Sequence, residues 1–300
     1  MDWNSCTLCP RNCHANRKNK NSLTGICHEA NHLRLARAAF HFWEEPCISG
    51  EQGSGTIFFS GCTLRCVFCQ NHSIADGSVG KEISQQRFVQ ILLELQQKGA
   101  NNINLVTPTH FVPLIIDGIQ QARSQGLHLP IVYNTSGYES IETLQLLDGI
   151  VDIYLPDLKY YSSTIAQKYS FAGDYFSVAS RALQEMYRQV GDPVFDANGI
   201  MQKGMIVRHL VLPGCTNDSK AVIQYLYQTF HDHIYISIMN QYTPMPTVQG
   251  QYPELNRKVT EEEYDEVVDY AIELGVEHGF IQEGETADES FIPAFDYEGI

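Results

Sequence analysis

From about residue 51 onward the chain alternates between two rhythms of apolar and polar positions. Short apolar runs recur at about 55–60, at Ile103-Asn104-Leu105-Val106, at Ile131-Val132-Tyr133, from Val151 to Leu155, from Met205 to Leu212 and from Ile234 to Ile238. Their length and their β-branched and aromatic content predict strands. Between them the apolar residues fall three and four apart, which predicts helices. One helix spans about 84–98, with Phe88, Ile91, Leu92 and Leu95 on one face, Ser84 as N-cap and Gly99 as the glycine that follows. A second runs from about Phe111 to Gln125, burying Leu114, Ile115, Gly118, Ile119 and Ala122. Others are expected near 139–147, over 162–190 with a break near Gly173, and over 218–230. Thr260-Glu261-Glu262-Glu263 is a capping box opening a last helix that buries Tyr264, Val267, Val268 and Ala271, with a final strand at Gly279-Phe280-Ile281. Repeated βα units joined by short loops imply a parallel sheet covered by helices. Six units, with the extra strand, fall short of an eight-fold barrel. The expectation is an α/β fold, a partial (β/α)6 TIM-like barrel over 51–300.

Residues 1–50 break that rhythm and are expected to form a small N-terminal Cys-rich segment. Cys6-x2-Cys9-x3-Cys13-x13-Cys27 supplies four thiols in a stretch too short to bury a core of its own, the situation in which metal staples a fold. Three cysteines within eight residues favour an iron–sulfur cluster over zinc, whose structural sites pair their ligands more widely. His14, His28 and His32 lie nearby and read as surface histidines, and Arg17-Lys18-Asn19-Lys20-Asn21 reads as a polar loop.

Composition narrows the function. The 300 residues are 43% apolar and 18% charged, with a net charge of −15. That balance is globular, and its sign disfavours a general nucleic-acid binder or a protein docked on anionic lipid. No apolar run is long enough to span a bilayer, and the polar N-terminus with Cys6 and Cys9 does not read as a secretory signal. A cytoplasmic protein is expected. Seven of the nine cysteines fall in two tight groups, which points to metal and not to disulfides.

The second group, Cys62-x3-Cys66-x2-Cys69, follows the first barrel strand. Three thiolates at that spacing can hold three corners of a four-iron cluster, leaving one iron without a protein ligand. Ligands of parallel α/β folds bind at the carboxyl ends of strands. There this chain carries Thr107-Pro108-Thr109-His110, Asn134-Thr135-Ser136-Gly137, Asp157-Leu158-Lys159, Arg208-His209 and Met239-Asn240-Gln241-Tyr242. Cys215 and Tyr242 read as packed residues near the mouth, and Cys47 as structural.

Cys62-x3-Cys66-x2-Cys69 with Phe68 before the third cysteine resembles the radical S-adenosylmethionine (SAM) superfamily. Leu155-Pro156-Asp157-Leu158-Lys159 and Val207 to Gly214 resemble segments of the glycyl-radical-enzyme activases, such as pyruvate formate-lyase activating enzyme. With Cys6-Thr7-Leu8-Cys9-Pro10-Arg11-Asn12-Cys13 the whole chain is similar to a PflX-like branch of that group. The resemblance implies a catalytic [4Fe–4S] cluster on Cys62, Cys66 and Cys69, and SAM cleaved to a 5′-deoxyadenosyl radical that abstracts hydrogen. It implies SAM contacts from Phe68, Thr107, Asn134, Ser136, Asp157, Lys159 and Arg208. Reduced flavodoxin or ferredoxin is the implied electron donor, and a protein or peptide, such as a glycyl-radical enzyme, or a small molecule is the implied substrate. The Cys6, Cys9, Cys13 and Cys27 site, cluster or zinc, would be auxiliary. The Gly-Gly-Glu segment that such proteins place after the second strand is replaced here by Thr107-Pro108-Thr109-His110. The rival class is a non-catalytic iron–sulfur or zinc scaffold, or a redox sensor, on the same fold.

Overall fold

The computed structural model describes residues 2–19, 25–282 and 293–300. β1 (Arg34–His41) and a one-turn helix α1 (Pro46–Ser49) lead into β2 (Ser54–Phe59), α2 (His72–Ala75), β3 (Lys81–Glu82), α3 (Gln85–Gln97) and β4 (Ile103–Val106). The middle of the chain holds α4 (Val112–Ser124), β5 (Ile131–Thr135), α5 (Ile141–Gln145), β6 (Ile153–Pro156), α6 (Ser163–Ser170) and α7 (Tyr175–Val190). Then come β7 (Val194–Phe195), β8 (Met201–Leu210), α8 (Thr216–Phe230), β9 (Tyr235–Met239), α9 (Glu261–Leu274) and β10 (Gly279–Ile281).

β2, β4, β5, β6, β8, β9 and β10 pair in that order, all parallel. β1 adds antiparallel to β2, and β3 antiparallel to β1. The two ends of the sheet, β3 and β10, do not meet, so the barrel is unclosed. The expected six units and the extra strand are all present. Ser84 accepts from Arg87 N at 3.1 Å, Thr260 and Glu263 close the capping box, and the helical stretch over 162–190 breaks between Ser170 and Tyr175. β1 was not expected. Its sequence, Arg34-Leu35-Ala36-Arg37-Ala38-Ala39-Phe40-His41, is alanine-rich and weak in strand formers, and the ladder with β2 supplies what propensity does not.

Alternation along the strands sorts the core into two sides. Tyr133, Tyr154, Met205 and Val207 point to the helical layer, where α7 presents Val178, Ala179, Ala182, Leu183 and Met186 at helical spacing. Their sequence neighbours Val132, Ile153, Leu155 and Ile206 point the other way, onto Cys47 and Ile48 of α1. The short helix therefore plugs the barrel interior, each fully buried side chain contributing about 1.5–3 kcal/mol. Directly before it, Glu44 and Glu45 are carried to the strand ends. The N-terminal segment folds onto the same sheet through Arg17. Expected in a polar loop, Arg17 is instead 1% exposed. It donates to the carbonyls of Glu29, His110 and Ala30 and lies over the Trp3 and Phe111 rings, a set of partners that outweighs solvation. Lys20 and Asn21 of that expected loop lie outside the described residues.

Candidate functional site

β2 ends in a turn that only glycine fits. Gly61 has φ +82, and a Cβ there would stand 2.5 Å from the Cys27 carbonyl oxygen. The chain then winds through Cys62, Cys66 and Cys69, with Arg65 left-handed at φ +59. Amides of Leu64 and Arg65 point at the Cys62 sulfur (3.4 and 3.5 Å), and the Ser170 hydroxyl donates to Cys66 Sγ at 3.0 Å. Burial pushes the Cys66 thiol up, against the pull of Lys159 and Ser170. Burial, reinforced by Cys62 and Cys66, pushes Cys69 up to about 12. The loop therefore groups three thiols that a metal must deprotonate to bind.

These thiols face a cavity of about 390 Å³ at the carboxyl ends of the strands, a size that suits a drug-sized ligand. Its lining includes every barrel residue that the sequence assigned to the cluster or to SAM: Cys62, Cys66, Phe68, Cys69, Thr107, Asn134, Ser136, Asp157, Lys159 and Arg208. Thr107 is a β-branched residue at φ +58, a conformation that is costly and collects at functional sites. Asp157 and Lys159 form one unit: Lys159 Nζ donates to Asp157 Oδ2 at 2.5 Å. Burial opposes the Lys159 charge, but Asp157 and Cys66 outweigh it and hold the ammonium above its usual pKa. Tyr175 fixes both backbones, accepting from Lys159 N (2.9 Å) and donating to the Ser136 carbonyl (2.8 Å). Gly137 permits this packing, since a Cβ there would lie 2.2 Å from the Asp157 carbonyl oxygen. Phe68 packs edge-on against Tyr160, Tyr169 and Tyr242, so its ring is held and not free to swing.

The sequence missed the floor of this cavity. Arg208 is gripped by Glu44 and Glu45: Nε donates to Glu45 Oε1 at 2.8 Å, and Nη2 donates to Glu45 Oε2 at 2.5 Å and also to Glu44. Burial opposes the guanidinium charge, yet the two carboxylates keep Arg208 well above its usual value. Burial alone would raise Glu45, but Arg208 holds it below the ordinary carboxylate range. Glu44 also accepts from Asn104 Nδ2 at 2.7 Å. Arg208 was expected to meet a ligand carboxylate with both prongs; with Nε and Nη2 engaged, Nη1 is the donor left to do so. The one available signal was the acidic pair ahead of Pro46, hidden in a stretch that read as metal-binding. Nor did the sequence point to Tyr175 or Ser170, which sit in helices named only by their periodicity. Thr109 turns away from the cavity to donate to Glu139 at 2.5 Å.

Other nominated residues stand elsewhere. His110 and His209 are buried beside the site without lining it. Cys215 occupies the N-cap position of α8 without a side-chain capping bond, Cys47 packs in the barrel plug, and the Tyr242 hydroxyl donates to the Leu255 carbonyl at 2.7 Å. Cys6, Cys9, Cys13 and Cys27 lie outside the cavity; burial pushes Cys9 up to about 12, and Cys27, Cys6 and Cys13 add to it. All nine cysteines are free of disulfides. Among the described residues no three His, Cys, Asp or Glu side chains converge as on a single metal ion. Nor is any helix among them long and apolar enough to cross a membrane.

An unclosed parallel barrel with three thiols, an ion pair and a buried guanidinium at the mouth defines a cofactor-dependent enzyme-type site. Residues 56–200 match the Radical SAM superfamily. That match supports SAM-derived radical chemistry, for which the family uses SAM and a [4Fe–4S] cluster. An uncharacterized protein of Methanocaldococcus jannaschii is 26% identical over 283 residues, covering 90% of this chain and 75% of that protein. Among solved structures, the [FeFe]-hydrogenase maturase HydG is similar in fold, with TM-score 0.50 and 13% identity over 79% of this chain and 54% of its own. Methylornithine synthase gives TM-score 0.50 and 15% identity over 79% of this chain and 63% of its own. This chain thus spans about half of the first and under two thirds of the second.

Proposed function

We propose that this chain is a SAM-cleaving radical enzyme whose cluster is held by Cys62, Cys66 and Cys69. The observation that carries the proposal is the convergence of those thiols with Phe68, Thr107, Asn134, Ser136, Asp157, Lys159 and Arg208 on one cavity. When bound, the cluster and SAM supply a 5′-deoxyadenosyl radical able to abstract hydrogen from a substrate. The chain's own residues position and insulate. Lys159 offsets thiolate charge at Cys66 while Asp157 fixes its ammonium. Ser170 donates to the Cys66 sulfur, which tunes the electron density there. Arg208 Nη1 and the polar groups of Asn134, Ser136 and Thr107 would hold the polar ends of SAM, and Phe68 would offer an apolar wall. The α1 plug keeps water out from below. The acceptor of the radical is a protein or peptide, such as a glycyl-radical enzyme, or a small molecule. Reduced flavodoxin or ferredoxin delivers the electron, in the cytoplasm, where the free thiols stay reduced.

Anaerobic reconstitution with iron and sulfide, followed by dithionite and SAM, tests this reading. The expected product is 5′-deoxyadenosine, absent from the Cys62→Ala, Cys66→Ala and Cys69→Ala proteins. A reconstituted protein that makes none, and whose cluster EPR signal ignores SAM, is instead the non-catalytic scaffold or sensor.

A further inference from the structure

The N-terminal thiols mirror the catalytic ones. Cys6-x2-Cys9-x3-Cys13 is the spacing of Cys62-x3-Cys66-x2-Cys69 reversed, and Cys27 adds the fourth ligand that the catalytic loop lacks. The structure places Cys27, Cys6 and Cys13 near Cys9, without converging them as on a single metal ion. The Cβ position of Gly25 lies 3.4 Å from Cys13 Sγ and 3.9 Å from Cys27 Sγ, so those sulfurs stand within 7.3 Å (3.4 + 3.9) of each other. Asn12, His14 and His28, flanking Cys13 and Cys27, are all left-handed, at φ +41, +52 and +57. The decisive neighbour is Arg17, 1% exposed, whose Nη1 lies 3.8 Å from Cys6 Sγ. Glu29, a carboxylate that Arg17 also stabilises, is engaged by Arg34 at 2.8 Å. Two buried or half-buried guanidiniums thus share one carboxylate, and an uncompensated buried charge is strongly destabilising. Four thiolates around a four-iron cluster carry about −2 and supply what is missing. The segment is also bolted to the catalytic loop. Arg11, inside the cysteine motif, donates to the carbonyls of Thr63 (2.9 Å), Leu64 (3.1 Å), Ser170 (2.9 Å) and Phe171 (2.6 Å).

We infer that Cys6, Cys9, Cys13 and Cys27 hold a second, fully protein-ligated [4Fe–4S] cluster balanced by Arg17, and that this cluster seats Arg11 so that the catalytic loop keeps its shape. Arg11 is a positioning residue, acting through the loop carbonyls. The inference does not rest on SAM cleavage, and its test reads iron. After anaerobic reconstitution the full-length protein should hold about eight irons, and the Cys62→Ala/Cys66→Ala/Cys69→Ala variant about four irons and four sulfides with a four-iron EPR signal after dithionite. One equivalent of zinc, or no metal, in that triple variant overturns the assignment. Arg17→Met in the triple-variant background should lose most of the remaining iron while Arg17→Lys keeps more; equal retention by the two overturns the charge argument. Arg11→Lys alone should keep the N-terminal irons and lose those of the catalytic loop, bringing the total from about eight toward about four. An unchanged iron count with an unshifted catalytic EPR signal overturns the coupling. Far-UV circular dichroism identifies any variant that fails to fold, and the triple variant, which keeps the N-terminal segment intact, decides the metal question independently of the arginine variants.

Discussion

Arg208→Met isolates what the cavity floor contributes. The side chains of Arg208, Glu44 and Glu45 are 12%, 7% and 6% exposed, so three charges share a nearly dry site. At an effective dielectric of about 20, each contact is worth roughly 4 kcal/mol in gross Coulomb energy, much of it offset by desolvation and by repulsion between the two carboxylates. Removing only the cation strands both carboxylates, which costs about 3–5 kcal/mol, or roughly 5–8 °C in Tm for a chain of this size. Replacing all three, as Arg208→Met/Glu44→Gln/Glu45→Gln, removes the stranded charge and should recover all but about 1–2 kcal/mol. The pH dependence has a definite sign. In the native protein Glu45 is held below its unfolded pKa, so its contribution is present above that value and is lost as pH falls through the folded one. Without Arg208, burial lifts Glu45 above the unfolded value, so the variant gains stability as pH falls toward it. The gap between the two proteins should therefore narrow from pH 7 to pH 5 in urea or thermal unfolding. A loss under about 1 kcal/mol, a triple variant no better than the single one, or a gap that widens in acid would refute the argument.

Gly137→Ala forces a left-handed alanine whose Cβ overlaps the Asp157 carbonyl oxygen; about 2–5 kcal/mol of stability and measurable SAM binding should be lost, checked by denaturation and calorimetry. His209 is buried, and burial depresses its pKa to about 4, with His110 lower still at about 3. The unfolded chain binds more protons than the native one between the ordinary imidazole value and those values, so stability falls as pH drops from about 6.5 toward 4, by about 3 kcal/mol for His209; His209→Asn should flatten the urea–pH profile in that window. Ser170→Ala removes the donor to Cys66 Sγ, and its cluster should become harder to reduce, a shift to more negative potential read by EPR-monitored titration, with iron content unchanged. S-Adenosylhomocysteine, which lacks the sulfonium charge, should bind the cluster-loaded protein at least about ten-fold more weakly than SAM, and equal affinities would count against the cavity's negative balance.

The barrel was legible because its signals are local. Strand runs, Ser84, Gly99 and the Thr260–Glu263 box each specify their element with little help from elsewhere. The cavity was legible for a related reason: in a parallel sheet the residues ending successive strands must share a rim, so Asn134, Asp157 and Arg208 could be grouped without coordinates. What was not legible depends on pairings across long stretches of chain. Arg208 and Glu44 are 164 positions apart, and Arg11 and Phe171 are 160 apart. No periodicity encodes such pairs. Arg17 failed for a further reason: an arginine beside lysines and asparagines reads as solvated until three carbonyls and two rings are seen around it.

The two thiol sites resolve their charge in opposite ways, and this bears on what each holds. At the cavity, Glu44, Glu45 and Asp157 face Arg208 and Lys159, three carboxylates against two cations, before any thiolate is counted. Such a site has a surplus of negative charge and an open mouth, and it favours a ligand that brings a cation with it, as a sulfonium with an ammonium does. The N-terminal pocket has the reverse balance, Arg17 and Arg34 against Glu29, and burial raises even that carboxyl to about 7. A surplus of buried positive charge beside these thiols favours their ionising together, which they do around metal. The same element type, three cysteines in eight residues, is thus set for an exchangeable cationic ligand on one side of the loop and for a permanent anionic centre on the other. Arg11, bonded to carbonyls of the catalytic loop and placed between Cys9 and Cys13, is the side chain through which one site can impose its geometry on the other.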